Sequence, residues 1–196
     1  MKQIVIASTN AGKIREFKEM LEPEGYEVKS LSDYPDMPEI EENGTTFEEN
    51  AIIKAKAVTD RYGIEAIADD SGLSIDAFNG EPGVHSARFL GHDTSYDYKN
   101  KVILERMENE TNRNCHYTCA IAVTRPNEEP LVFADIVECE IAKEAKGENG
   151  FGYDPIVYYP PFKKTMAEMT KDEKNSISHR GKALAKFEAW MNDNQK

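Results

Sequence analysis

The sequence predicts an α/β protein built on a mixed β-sheet flanked by helices. The N-terminus reads as strand, polar turn and helix: Gln3 to Ala7 is apolar and β-branched, and Ile14, Phe17 and Leu21 follow at helical spacing. Two strand-like runs, Tyr117 to Thr124 and Leu131 to Ala142, flank a turn at Pro126 and Asn127, and so short a connection makes them an antiparallel hairpin. A βα opening combined with a hairpin makes the sheet mixed. At 196 residues, with 39% hydrophobic and 31% charged side chains, the chain has the composition of one globular domain with a real core.

The remaining elements follow from local signals. Glu27 to Leu31 alternates like a short strand, and the acidic, proline-containing run from Asp33 to Gly44 reads as a loop. Thr46 and Glu49 form a candidate capping box for a helix carrying Phe47, Ala51, Val58 and Tyr62 on one side, with Lys54 near its middle. Ala66 to Ala68 reads as a short buried strand, Asp69-Asp70-Ser71-Gly72 as a tight turn and Leu73 to Phe78 as a second strand. Asn79 to His92, rich in glycine, is a loop of the kind that carries function, and a helix follows through Tyr98, Val102, Leu104 and Met107. Gly147 to Asp154 is a glycine-rich loop, Pro160 and Pro161 mark another turn, and Ser178 is the N-cap of a last helix with Leu184, Phe187, Trp190 and Met191 on its apolar side.

Composition also excludes function classes. A formal net charge of −12 argues against a nucleic-acid surface, which needs clustered Lys and Arg, yet leaves room for a small anion held by local cations. No stretch approaches the ~20 apolar residues of a membrane span. Met1 to Ile6 enters strand-like sequence without a signal-peptide region, so the expectation is a cytoplasmic protein. Of the three cysteines, Cys115 and Cys119 lie on one predicted strand, about 13 Å apart at ~3.3 Å per residue, too far for a disulfide. There is no Cys-x-x-Cys spacing for zinc, and reduced, buried thiols are expected.

Four segments carry chemistry-bearing residues. Ser8-Thr9-Asn10-Ala11-Gly12-Lys13 brings hydroxyls, an amide and a lysine to a helix N-terminus, where free N–H groups favour anions. It is not a Walker A loop, since the spacing of glycines and the Ser or Thr after the lysine are both missing. Asp69 and Asp70 offer hard oxygens of the kind magnesium takes alongside water and phosphate, and one of Glu41, Glu42, Glu48 and Glu49 could complete that set. Gly150 to Pro155 places aromatic faces beside flexible backbone and a carboxylate, as a base-binding wall would. Lys174 to Arg180 supplies donors at a helix start. Each segment also has a plain structural explanation: a solvated turn, a turn chosen for its chain geometry, a hairpin turn and a charged helix cap. His85 and Arg88 could touch ligand or serve the surface, and His92 and His116 remain unassigned.

Taken together in this order, Ser8-Thr9-Asn10 with Gly12-Lys13, Thr46 to Ala51 with Lys54, Ala68 to Leu73, Gly80 to Val84, Gly150 to Pro155 and Ser178-His179-Arg180 resemble the inosine triphosphate pyrophosphatase family over nearly the whole chain. The resemblance implies an elongated mixed sheet in two lobes with a nucleotide cleft between them, within a single domain spanning residues 1–196. It implies hydrolysis of ITP, dITP and XTP to monophosphate and pyrophosphate, cleansing the nucleotide pool. The implied cofactor is one magnesium per subunit, with manganese as a substitute, and the implied assembly is a homodimer with no nucleic-acid or membrane partner.

Residue by residue, the resemblance implies that Ser8, Thr9, Asn10, Ala11, Gly12 and Lys13 hold phosphates with help from Lys54, and that Glu41 and Asp70 bind the metal. It makes Asp70 the general base and Ser71 a substrate contact. Phe151, Gly152, Tyr153 and Asp154, with Lys174, His179 and Arg180, become the nucleobase pocket. His85 departs from the pattern, standing where the family carries an aromatic. The competing readings are a related pyrophosphatase for modified pyrimidine or methylated nucleotides, a catalytically silent nucleotide sensor and an interaction domain without nucleotide affinity.

Overall fold

A computed structural model describes residues 1–194. Among these, the order is β1 (Lys2–Ile6), α1 (Ala11–Leu21), β2 (Tyr26–Ser30), α2 (Phe47–Tyr62), β3 (Glu65–Ile75), α3 (Tyr96–Arg106), β4 (Asn114–Thr124), β5 (Leu131–Ile141), β6 (Val157–Tyr159), β7 (Lys164–Thr165), α4 (Lys171–Ile177) and α5 (His179–Asn194). The strands form one seven-stranded sheet in the order β2-β1-β3-β4-β5-β6-β7. β1 pairs in parallel with β2 and with β3, whereas β6 runs antiparallel to both β5 and β7, so the sheet is mixed. Parallel neighbours need long crossovers, supplied here by α1 and α2.

The chain divides into two compact units. The first comprises Met1–Asp70, Ala120–Ala134 and the segment from Ala183; the second comprises Ser71–Cys119 and Asp135–Lys182. In the first, Ile4, Val5 and Ile6 of β1 and Ala66, Ile67 and Ala68 of β3 are buried with Phe17 and Leu21 of α1 and Ala51, Ala55 and Val58 of α2. Continuous apolar runs of this kind mark strands covered on both faces. In the second, Leu73, Ile75, Ile103, Met107, Tyr117, Val137, Ile156 and Met166 form the core.

Caps explain where the helices begin. The Asn10 side chain accepts from Lys13 N at 3.1 Å, and Thr46 accepts from Glu49 N at 3.1 Å. The expected capping box at α2 is modified: the strongest bond of the Glu49 carboxylate is accepted from Thr45 N, one residue before the cap, at 2.6 Å. Gly63, at φ 68°, ends that helix in the left-handed region. Ser178 Oγ accepts from Gly181 N at 3.1 Å, as expected for the N-cap of α5.

The expected turn at Asp69-Asp70-Ser71-Gly72 is not formed. These residues continue a single strand from Glu65 to Ile75. Turn propensity in Asp and Ser comes from side chains that bond their own backbone, and here lysines engage the two aspartates instead, leaving the backbone extended. Helix α4 was not anticipated, although Thr170 and Glu173 form a full capping box at its start. Cys115, Cys119 and Cys139 are buried free thiols, as expected. Among the described residues no helix is long and apolar enough to cross a membrane.

Candidate active site

In the first unit, β1 delivers the chain to a polar turn at the start of α1. Ser8 N donates to Ile6 O at 2.8 Å, and Ser8 Oγ accepts from Asn10 N at 3.0 Å, fixing the backbone that leads into α1. Thr9, Asn10 and Ala11 are exposed while Ser8, Gly12 and Lys13 are partly covered. The first-turn amides of α1 are the free donors of any helix start, and the Asn10 cap occupies that of Lys13.

Strand alternation then separates the two aspartates of β3. Successive side chains on a strand point to opposite faces, so one meets α1 and the other meets α2. Buried Asp69 Oδ1 pairs with Lys13 Nζ at 3.0 Å. Asp70 Oδ1 lies 3.5 Å from Lys54 Nζ, which also donates to Asp69 O at 2.7 Å and pairs with Glu42 Oε1 at 3.0 Å. Two ammonium groups and three carboxylates thus gather at the C-terminal end of β1, and of these Lys13, Lys54, Asp69 and Glu42 line a cavity of about 480 Å³ whose other wall is the loop from Leu31 to Ile40. That volume suits a small ligand.

The electrostatics of the cluster are divided. Burial opposes the charge on Lys54, but Asp70, Asp69 and Glu42 outweigh it and hold its pKa above the ordinary value. For Asp70 burial is the largest influence and raises the carboxyl; Lys54 and Lys13 oppose the rise, and Glu42 and Asp69 add to it. Among the described residues, Asp70 Oδ2 is buried without a hydrogen-bond partner, and so is Ser71 Oγ. A bare buried carboxylate oxygen is costly unless something charged or donating occupies it. The expected acid Glu41 is exposed, and its neighbour Glu42 is the one turned onto Lys54.

In the second unit, Phe151 and Lys174 of the expected base pocket meet on Asp154, and His179 reaches it through Tyr117. Its carboxylate is buried; Oδ1 accepts from Tyr117 OH at 2.9 Å, and Oδ2 accepts from Phe151 N at 3.0 Å and from Lys174 Nζ at 2.6 Å. The Lys174 ammonium sits 4.8 Å from the centre of the Phe151 ring, which is 69% exposed and forms an open aromatic platform. His179 stacks on Tyr117 with ring centres 4.8 Å apart, and Arg180 follows it at the start of α5. Tyr153 is buried and donates its hydroxyl to Ser86 O, while Gly152 O accepts from Asn100 Nδ2 at 3.1 Å. Gly150, at φ 72°, admits no side chain, since a Cβ there would collide with the Asp154 carboxylate.

Three partners in this second cluster were not singled out from sequence. Tyr117 lies inside a strand and Asn100 inside a helix, where either reads as ordinary packing, and Ser86 sits in a loop without a recognisable spacing. Each is recognisable only through its contacts.

No group of three or more His, Cys, Asp or Glu side chains preforms a metal cage among the described residues. Hard oxygens on Asp70 and Glu42, one of them bare, nonetheless fit a magnesium ion, which keeps several waters and takes few protein ligands.

Comparison with known proteins places the chain in a family. A sequence profile of the Ham1 family matches residues 4–190. A dITP/XTP pyrophosphatase of Exiguobacterium is 48% identical over 187 residues, covering 95% of this chain and 95% of that protein. One from Bacillus licheniformis is 47% identical over 193 residues, covering 97% and 98%. Among solved structures, the Staphylococcus aureus Ham1 protein superposes with a TM-score of 0.93 at 43% identity, covering 98% of this chain and 99% of its own. A HAM1 protein from Coxiella burnetii gives 0.94 at 40% identity, covering 98% and 100%. With a family profile spanning nearly all of its length and relatives close to half identical, this chain belongs to the Ham1 family.

Proposed function

We propose that this protein hydrolyses non-standard purine nucleoside triphosphates, dITP, ITP and XTP, to the monophosphate and pyrophosphate, and so keeps those bases out of DNA and RNA. The observation that carries the reading is the meeting of Lys13 and Lys54 with Asp69, Asp70 and Glu42 at one strand end, with Asp70 Oδ2 left bare. The relatives' shared name, dITP/XTP pyrophosphatase, supports the same substrate class.

The roles follow from the chemistry of the groups. Ser8, Thr9 and the first-turn amides of α1 bind phosphate oxygens, and Lys13 and Lys54 neutralise charge along the chain. Asp70, whose carboxyl burial raises from its ordinary value, accepts the proton of the attacking water; the new bond forms at the α-phosphorus as the bond to the bridging oxygen breaks and pyrophosphate leaves. Asp70 with Glu42 would hold a magnesium ion, which when bound would supply positive charge to offset that of the phosphates. In the second cluster, Lys174, His179 and Arg180 present donors to the purine 6-oxygen. Adenine has an amino group there, and each unpaired donor costs about 1–3 kcal/mol, so two such donors exclude ATP strongly. A homodimer in the cytoplasm, with magnesium or manganese as the ion, completes the proposal.

The test is incubation with dITP, XTP, GTP and ATP in magnesium, assaying pyrophosphate separately from orthophosphate. Pyrophosphate release from dITP and XTP far above that from ATP is expected. Orthophosphate alone, or equal turnover of ATP and dITP, refutes the reading.

A further inference from the structure

We infer that Tyr117 is a positioning residue for base selection, acting through Asp154 on Lys174 and by stacking on His179; this rests on reading the second cluster as the base-recognition site. Asp154 is buried, and every donor to its carboxylate has a distinct place. Oδ2 takes the Phe151 amide and the Lys174 ammonium, whereas Oδ1 takes the Tyr117 hydroxyl, at 2.9 Å, as its one donor among the described residues. Without that hydroxyl, Oδ1 is stranded in a dry interior, and the carboxylate must turn to share the ammonium or the amide between its two oxygens. Either rotation moves the Lys174 Nζ relative to the Phe151 ring, which it overlies at 4.8 Å. The same tyrosine ring lies nearly parallel to the His179 imidazole, at an interplanar angle of 21°, and so sets the plane in which that ring can donate.

A purely structural role does not account for the hydroxyl. The Tyr117 ring packs in the second core with Cys115, Val137 and Cys139, and a phenylalanine would fill that space equally well. Burial, reinforced by the neighbouring carboxylate, keeps the phenol protonated and therefore a donor throughout the working pH range. One strand residue thus fixes two of the cluster's donors, one through a hydrogen bond and one through a ring face.

The experiment compares ITP with purine riboside triphosphate, which lacks the 6-oxygen. Tyr117→Phe is expected to raise KM for ITP about 5- to 30-fold while kcat changes less than about twofold, and to leave KM for the 6-unsubstituted substrate in place. In a Lys174→Met background the same substitution adds nothing to the ITP effect of losing the lysine. Equal losses on both substrates, or an unchanged KM for ITP, overturn the inference. Replacement of Tyr117 by p-aminophenylalanine keeps the ring and places an N–H donor at the reach of the hydroxyl; it should restore most of the ITP preference, and it decides the question by itself if a melting curve shows Tyr117→Phe unfolded, since loss of preference in that folded variant then overturns the inference. If Lys174→Met leaves KM for ITP untouched, the base-pocket reading itself fails. If Lys174→Met impairs ITP and Tyr117→Phe does not, only the role of Tyr117 fails.

Discussion

Asp70→Asn preserves the shape of a side chain that is 13% exposed and removes only its charge, so it separates chemistry from stability. Burial raises the Asp70 carboxyl above its ordinary pKa, with Lys54 opposing and Glu42 reinforcing the rise. An acid raised on folding binds more protons in the native than in the unfolded chain. Its contribution to stability is therefore present below the unfolded value of about 3.9 and is lost as pH climbs through the folded one. At neutral pH the ionised group is net destabilising, and asparagine carries no such penalty. Lys54 is not orphaned by the change, because Glu42 at 3.0 Å and the Asp69 carbonyl at 2.7 Å remain. The variant should melt in metal-free buffer at the parent temperature or above it. Loss of the proton acceptor should lower kcat/KM for dITP by about 10²- to 10⁴-fold, the usual worth of a positioned general base. Differential scanning calorimetry and a pyrophosphate-release assay at saturating magnesium read the two quantities. Turnover within about tenfold of the parent refutes the assigned base. A melting temperature lower by more than ~5 °C refutes the electrostatic account of the cluster.

Two further outcomes follow from the same contacts. Glu42→Gln should raise the magnesium concentration for half-maximal activity about tenfold or more, whereas Glu41→Gln, at an exposed position, should shift it less than about twofold; the reverse order returns the ligand role to Glu41. The thiols should resist modification in the folded protein, because burial pushes Cys139 up to about 12 and Cys115 higher still; a disulfide reagent monitored by absorbance should react with all three only after denaturant is added, and rapid native reaction at Cys115 or Cys139 contradicts their burial.

Much of this molecule is legible in its residues, and the exceptions have physical causes. The apolar periodicity of β1, α1 and α2 and the caps at Asn10, Thr46 and Ser178 are local signals, and the elements form where those signals lie. Asp69 to Gly72 misleads because its turn propensity assumes free side chains, whereas here Lys13 and Lys54, distant in sequence, claim them. Glu41 and Glu42 carry identical side chains in adjacent loop positions, and only the path of the loop decides which one meets Lys54. Tyr117 is the clearest case of what pattern reading misses. On a strand it reads as one more core aromatic, and its role emerges only when Asp154, Lys174 and His179 are brought to it from elsewhere in the chain.

Hydrolysis of dITP in oxygen-18 water, with both products examined by mass spectrometry, tests most directly whether the lysine and carboxylate cluster directs water to the α-phosphorus. The label should appear in deoxyinosine monophosphate and be absent from pyrophosphate. Label in the pyrophosphate, or release of labelled orthophosphate, would contradict attack at that atom and with it the roles given to Asp70, Lys13 and Lys54.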